Sequence, residues 1–237
     1  MTPGLELEQG GGPKVVDANE RRIDEPAYTP TAAARYLLLP VSTVRWWTLG
    51  NGVHPPVIRI ADPHEHLLSF RNMVEVHVLS AVMRQDRSRV PIAIVRAVVA
   101  MLGESFQSEH PLADSRMREE GKDFFATRFG ALVNASQHGQ VAIAGILAAY
   151  VHRIKRDERG EPRRLLIFTR GRPEGPEHIM IDPLVKSGEP CITDTELTAA
   201  MVAERFQAGE SVKDLAAACE RSPAEIEEAI RYVSEIA

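Results

Sequence analysis

The chain has 237 residues, a net charge of −5 and 44% hydrophobic residues, with aromatics at only 5%. That length suits two small domains rather than one and can bury an apolar core without disulfides. Cys191 and Cys219 lack any partner spacing, which excludes a secreted disulfide scaffold.

The opening MTPGLELEQGGGPK places acids and glycines where a signal peptide has bases and then apolar residues. No apolar run approaches the roughly 18 residues of a membrane span, so a soluble cytoplasmic protein with no membrane attachment is expected. Counted by segment, residues 1–26 carry −3, 27–60 are acid-free at +3, 61–120 carry −2, 121–176 carry +5 and 177–237 carry −8. A phosphate backbone rejects acid-rich surface and rewards Lys and Arg, so the two ends predict different partners.

Residues 1–26, with Gly10-Gly11-Gly12 and no apolar period, read as a flexible arm. YTPTAAARYLLLPVSTVRWW then opens with Thr29 as a cap and Pro30 for a first turn, predicting two short helices joined by a tight turn. Val57–Ile60 and Leu67–Phe70 flank an Asp62-Pro63 turn, the pattern of a hairpin wing. Apolar spacing from Met73 to Met83 predicts a helix, and another starts at Val90-Pro91 and runs to about Leu102, closing a first domain over 27–103.

Residues 104–120, polar around His110-Pro111, read as a connector. FFATRFGALVNAS reads as a two-stranded hairpin turning at Gly130, QVAIAGILAAYVHRIKR as a helix with a basic last turn, and RRLLIFTR as a strand. Together they form a middle domain over 104–176. After the linker RGRPEGPEHI, two extended pieces flank Ser187-Gly188, and three helices are punctuated by Gly209-Glu210-Ser211 and Arg221-Ser222-Pro223, giving a C-terminal domain over 177–237. The expected fold class is mainly α with small β elements (α+β): an N-terminal winged helix-turn-helix, a small α+β middle unit and a C-terminal three-helix, helix-turn-helix-like domain.

Ala33-Ala34-Arg35, Val44-Arg45 and Trp46-Trp47 stand in register with the first helix-turn-helix of MerR-type winged-helix regulators, which segment 28–47 resembles. The turn position that family fills with glycine is Leu38, so the backbone there is expected to avoid positive φ. Ile181-Asp182-Pro183, Gly188-Glu189-Pro190-Cys191-Ile192, Ala208-Gly209-Glu210-Ser211 and Ala229-Ile230-Arg231-Tyr232 resemble the small bacterial domain of unknown function, family four-three-three, that accompanies PIN-like toxins. Where that family has Gly-Thr-Arg, this chain has Asp194-Thr195-Glu196. With HPLADSRMREEGKDFF and VNASQHGQVAI between them, the whole is similar to the larger VapB-type antitoxins. The resemblance implies a protein that binds a PIN-like ribonuclease toxin, blocks it and represses their shared operon.

Independently of the resemblance, Val44 and Trp47 can face a core while Ser42, Thr43, Arg45 and Trp46 face outward for the major groove, with Arg59 on the wing. The candidate DNA contacts are Thr31, Arg35, Ser42, Thr43, Arg45, Trp46 and Arg59 on double-stranded operator DNA, with solvated surface charge as the other reading of the arginines. In the basic stretch from Arg153 to Arg172, Arg163, Arg164, Arg170 and Arg172 are either a solvated surface or residues that enter the toxin's carboxylate cluster bidentately. Phe206, Leu215, Ile226 and Ile230 are either apolar core or a homodimer seam, and Glu225, Glu227 and Glu228 make the last helix unsuited to phosphate.

His64-Glu65-His66 offers at most two metal ligands on a polar turn, and no phosphate loop, dinucleotide fingerprint or nucleophile elbow is present. Neither an enzyme nor a cofactor is expected. The rival reading is a MerR-like transcription regulator without a toxin partner.

Overall fold

Capping chemistry starts the first helix. In the computed structural model, which describes residues 22–85, 92–133, 137–169 and 175–236, the Thr29 hydroxyl accepts the Ala32 amide at 3.1 Å and Pro30 opens α1 (Pro30–Tyr36). A tight turn leads to α2 (Val41–Leu49), and fully buried Ala33 and Ala34 let the two helices close over Val44 and Trp47. Contrary to the expectation, Leu38 adopts the left-handed conformation at φ 54°. The turn keeps its glycine-like geometry, and packing of the Leu38 side chain against the core accompanies the steric strain.

The wing is not a regular hairpin. Within 57–70 the ladder is reduced to an Asp62–Leu67 bridge, and Leu68 pairs with Tyr28 instead. The groups a hairpin would pair are engaged elsewhere: the Val57 and Ile58 amides donate to the Trp47 carbonyl, the Ala61 amide donates to Asn72 Oδ1, and Asn72 Nδ2 donates to the Arg59 carbonyl.

The helix α3 (Phe70–Gln85) is buried along 72–82, so its polar residues need internal partners. Asn72 serves the wing segment, Glu75 accepts from His110 Nδ1 at 3.0 Å, and His77 Nε2 donates to the Tyr150 carbonyl at 3.1 Å while stacking on Phe168. Residues 104–120 are therefore packed rather than a free connector. The helix α4 (Ile92–Phe106) outruns its expected end, and Pro111, Leu112, Ala113 and Met117 are buried. The expected start of that helix at Val90-Pro91 lies outside the described residues.

The hairpin expected at 124–136 is a helix over its described part, α5 (Gly121–Leu132). Phe125 and Phe129 stack at 5.8 Å across one turn, so the aromatic content that reads as strand serves a helical face. Gly130 gives close approach instead of a turn, because a Cβ there would overlap Gln140 of α6 (Gln137–His152).

A four-stranded antiparallel sheet follows in chain order: β1 (Ile154–Arg156), β2 (Pro162–Leu166), β3 (Ile179–Ile181) and β4 (Cys191–Ile192). The period of two divides its side chains, with Leu165, Ile179, Ile181 and Ile192 in the main core and Leu166, Met180 and Cys191 in a small cluster on the other face. Three helices close the chain, α7 (Ala199–Gln207), α8 (Val212–Cys219) and α9 (Pro223–Ile236). Ser211 caps α8, and Ser222 with Glu225 forms a full capping box on α9, with both the Ser222 amide and hydroxyl donating to the Glu225 carboxylate. The fold is mainly α with small β elements, and one hydrophobic cluster runs from Ile23 to Tyr232.

Burial lowers the affinity of the His110 imidazole for its proton, but the hydrogen bond to Glu75 and its charge outweigh burial and raise the pKa. Burial also raises the Glu75 carboxyl, only partly offset by His110, Asn72 and Arg71. Both folded values lie above the unfolded ones, so the folded state holds these protons more tightly and stability falls as pH rises. The urea midpoint is expected to decline from pH 6 upward through the raised His110 value, and His110→Gln to flatten that slope while costing about 1–3 kcal/mol at pH 6. A slope unchanged by the substitution would contradict this assignment.

Candidate functional site

The outward face of α2 carries no acid, and its geometry follows from the inward one. With Val44 and Trp47 fixed in the core, the helical period turns Ser42 and Arg45 to solvent and leaves Thr43 and Trp46 half-buried. These four side chains line a shallow cleft with Gly50 and Asn51. No hydrogen bond or ion pair engages Arg45 among the described residues. The cleft's far wall is built by the loop after α2. Gly50 has φ 72°, and a Cβ there would overlap the His54 carbonyl. Asn51 Oδ1 accepts the Val53 and His54 amides, and Arg96 donates to the Pro55 carbonyl at 2.6 Å. A loop free of Asp, Glu, Lys and Arg thus stands beside the exposed helix.

The other candidate DNA residues are dispersed. Thr31 is exposed on α1. Arg59 is exposed but ion-paired with Glu109, so the wing's positive charge is locally neutralised. Arg35 sits between two clefts at the junction with the C-terminal helices, one shared with Tyr36, Glu189 and Tyr232 and the other with Leu38, Leu39 and Glu235. Sequence reasoning misses Asn51, Glu189 and Glu235. An Asn between two glycines signals the first, but nothing local in the sequence signals the others.

That junction joins the first helix to the last. The Tyr232 hydroxyl donates to the Tyr36 carbonyl at 2.9 Å, occupying an acceptor at the C-terminal end of α1. The Tyr28 ring meets Tyr36 edge-on at 6.4 Å and lies against Gly188, where a Cβ would overlap the Tyr28 hydroxyl. That hydroxyl is buried and has no hydrogen-bond partner among the described residues, and burial pushes its pKa far up. Gly188 ends a left-handed turn in which Lys186 and Ser187 have φ 45° and 54°. Left-handed non-glycine residues cost about 1–2 kcal/mol each and an unpaired buried hydroxyl about 1–3, so the junction is strained on both sides.

The basic stretch is less available than its sequence suggests. Arg163 pairs with Asp157 at 2.8 Å, and Arg164 bridges Asp182 at 3.0 Å and Asp194 at 2.8 Å. Arg170 and Arg172 lie outside the described residues. Of the C-terminal apolar residues, Leu215 and Ile226 are fully buried in the chain's own core, which removes them from any seam between copies. Phe206 is exposed and Ile230 half-buried. The acidic face of α9 is also reduced, because Glu225 serves the cap and buried Glu228 pairs with Arg231, leaving Glu227 exposed.

The His64–His66 segment is a tight turn in which Asp62 Oδ1 accepts the His64 and Glu65 amides at 2.8 and 3.0 Å. Among the described residues no three His, Cys, Asp or Glu side chains gather as a metal site, and no helix is long and apolar enough to cross a membrane.

Residues 179–233 match a family described as a protein of unknown function, DUF433, which bears out the resemblance of the C-terminal segment. The uncharacterized protein Rv2308 of Mycobacterium tuberculosis is 24% identical over 220 residues, spanning 89% of this chain and 91% of that one. The crystal structure of Rv2018 from Mycobacterium tuberculosis shares the fold, with a TM-score of 0.67 at 21% identity over 89% of this chain and 99% of the other.

The seat of Tyr28 gives opposite expectations for adjacent residues. Gly188→Ala should lower stability by about 3 kcal/mol or more, because the buried ring has no room to retreat. Exposed Ser187→Gly should raise it by about 0.5–1 kcal/mol by relieving the left-handed backbone. Denaturant midpoints measure both, and equal effects of the two changes would refute the described turn.

Proposed function

We propose that the chain is an antitoxin that binds double-stranded operator DNA through its N-terminal helix-turn-helix and holds a PIN-like ribonuclease toxin, repressing the operon and blocking the toxin by occlusion rather than catalysis. The observation that carries the DNA half is the acid-free face of α2, where Ser42, Thr43, Arg45 and Trp46 line one cleft and no carboxylate engages Arg45 among the described residues. A short helix of that composition suits the major groove, with Arg45 directed at guanine or phosphate. Dimerisation supplies the second half-site, and among the C-terminal candidates Phe206 and Ile230 retain accessible surface for it.

The toxin half rests on the C-terminal resemblance and on the basic stretch. A toxin's carboxylates would have to replace Asp157, Asp182 and Asp194 as partners of Arg163 and Arg164. Such an exchange would release these aspartates, buried Asp182 among them, so the toxin's carboxylates must outcompete pairs already formed. A MerR-like regulator without a toxin shares the DNA half of this reading and lacks the other.

Two measurements test the proposal. Arg45→Ala should weaken binding to a duplex taken from upstream of the protein's own gene by about 1–3 kcal/mol if it contacts guanine, or reduce the salt slope by about 1 if it contacts phosphate. Unchanged affinity and salt dependence would overturn the DNA assignment. The tagged full chain isolated from its native cell should carry a PIN-like ribonuclease. Its recovery with DNA but without such a protein would favour the plain regulator.

A further inference from the structure

We infer that the C-terminal unit is an intramolecular acidic cover on the Arg35 side of the helix-turn-helix, and that removing the cover's charge strengthens DNA binding. The inference rests on the DNA-binding reading and assigns it a built-in restraint. Three observations converge on it.

Arg35 is exposed on α1, the helix preceding the DNA-facing one, yet each cleft beside it is shared with a carboxylate of the C-terminal unit, Glu189 in one and Glu235 in the other. That unit is also the most acidic part of the chain, at −8 over residues 177–237. A phosphate approaching Arg35 through either cleft meets a carboxylate that lines the same cleft and repels it. Among the described residues, the face of α2 with Arg45 carries no such neighbour. The helix-turn-helix therefore presents one cationic position without an acidic neighbour among the described residues, Arg45, and one flanked by acids of the C-terminal unit, Arg35.

The junction that holds the cover in place combines a buried tie with strained and unpaired groups. The Tyr232 hydroxyl ties α9 to the end of α1, while the same junction contains the unpaired buried hydroxyl of Tyr28 and left-handed Leu38, Lys186 and Ser187. Strained backbone persists only where surrounding structure holds it, and here it is concentrated where the cover meets α1. Separation of the two units would relieve the unpaired hydroxyl and take both carboxylates away from Arg35.

The test uses the full chain and a labelled duplex of about 40 base pairs from upstream of its gene, long enough for two half-sites. Glu189→Gln with Glu235→Gln removes charge from two exposed side chains and leaves their shape. At about 0.1 M salt this double variant should bind about 5-fold more tightly than wild type, with a salt slope steeper by about 0.9 because Arg35 then neutralises one more phosphate. Adding Arg35→Ala should return both values to wild type. Glu204→Gln with Glu227→Gln, which neutralises two exposed acids of the same unit that line neither cleft, should leave them unchanged.

An equal increase from that control pair would assign the effect to net charge and overturn the cover. So would unchanged binding in the first pair while Arg45→Ala still weakens it, and in that case the DNA reading survives. Absence of duplex binding in every form overturns both.

Discussion

A helix buried on every side must find a partner for each polar group it carries, and α3 finds its partners in separate parts of the chain. Asn72 satisfies the backbone of the wing segment, Glu75 receives His110 from the segment after α4, and His77 reaches the end of α6 and Phe168, just beyond β2. An unsatisfied buried group costs more than a satisfied one gains, so these contacts fix register between elements that apolar packing alone would let slide. The position of α2, and with it the candidate DNA face, follows from this arrangement, because the chain entering α3 is the chain leaving the wing.

Elements whose signals are local could be read from the sequence. Thr29, Ser211 and Ser222 stand three residues before the amides they accept, and the apolar run Ile179-Met180-Ile181 is buried on both faces of the sheet. The helical spacing of α3 and α6 is equally local. Where a residue's role depends on a distant partner, the local signal misleads. Phe124-Phe125 and Gly130 resemble a strand and a turn, yet Phe125 stacks on Phe129 along α5 and the glycine admits Gln140. The wing residues flank an Asp-Pro turn as a hairpin's strands should, but Asn72, more than ten positions onward, binds the groups that would have paired across it.

The candidate site divides in the same way. Ser42 and Arg45 face outward because Val44 and Trp47 face inward, a helical argument complete within nine residues. The fates of Arg35, Arg59, Arg163 and Arg164 are not local. Counting charges by segment locates the basic and acidic regions, but folding brings carboxylates onto three of these four arginines and into the clefts beside the fourth. A basic stretch in sequence is thus an upper limit on basic surface. Arg45 reaches that limit because, among the described residues, no acid lines the cleft beside it.

The hydrogen bond from Tyr232 to Tyr36 spans 196 positions of chain. On a ribosome adding roughly 5–20 residues per second, the first helices emerge on the order of ten seconds or more before the helix that completes their packing exists. During that interval the Tyr28 ring, the end of α1 and the strained Leu38 turn stand without the Gly188 seat or the α9 contact. The N-terminal unit of a growing chain is therefore finished last although it is made first, and synthesis that stops short of the final helix leaves that seam unsealed.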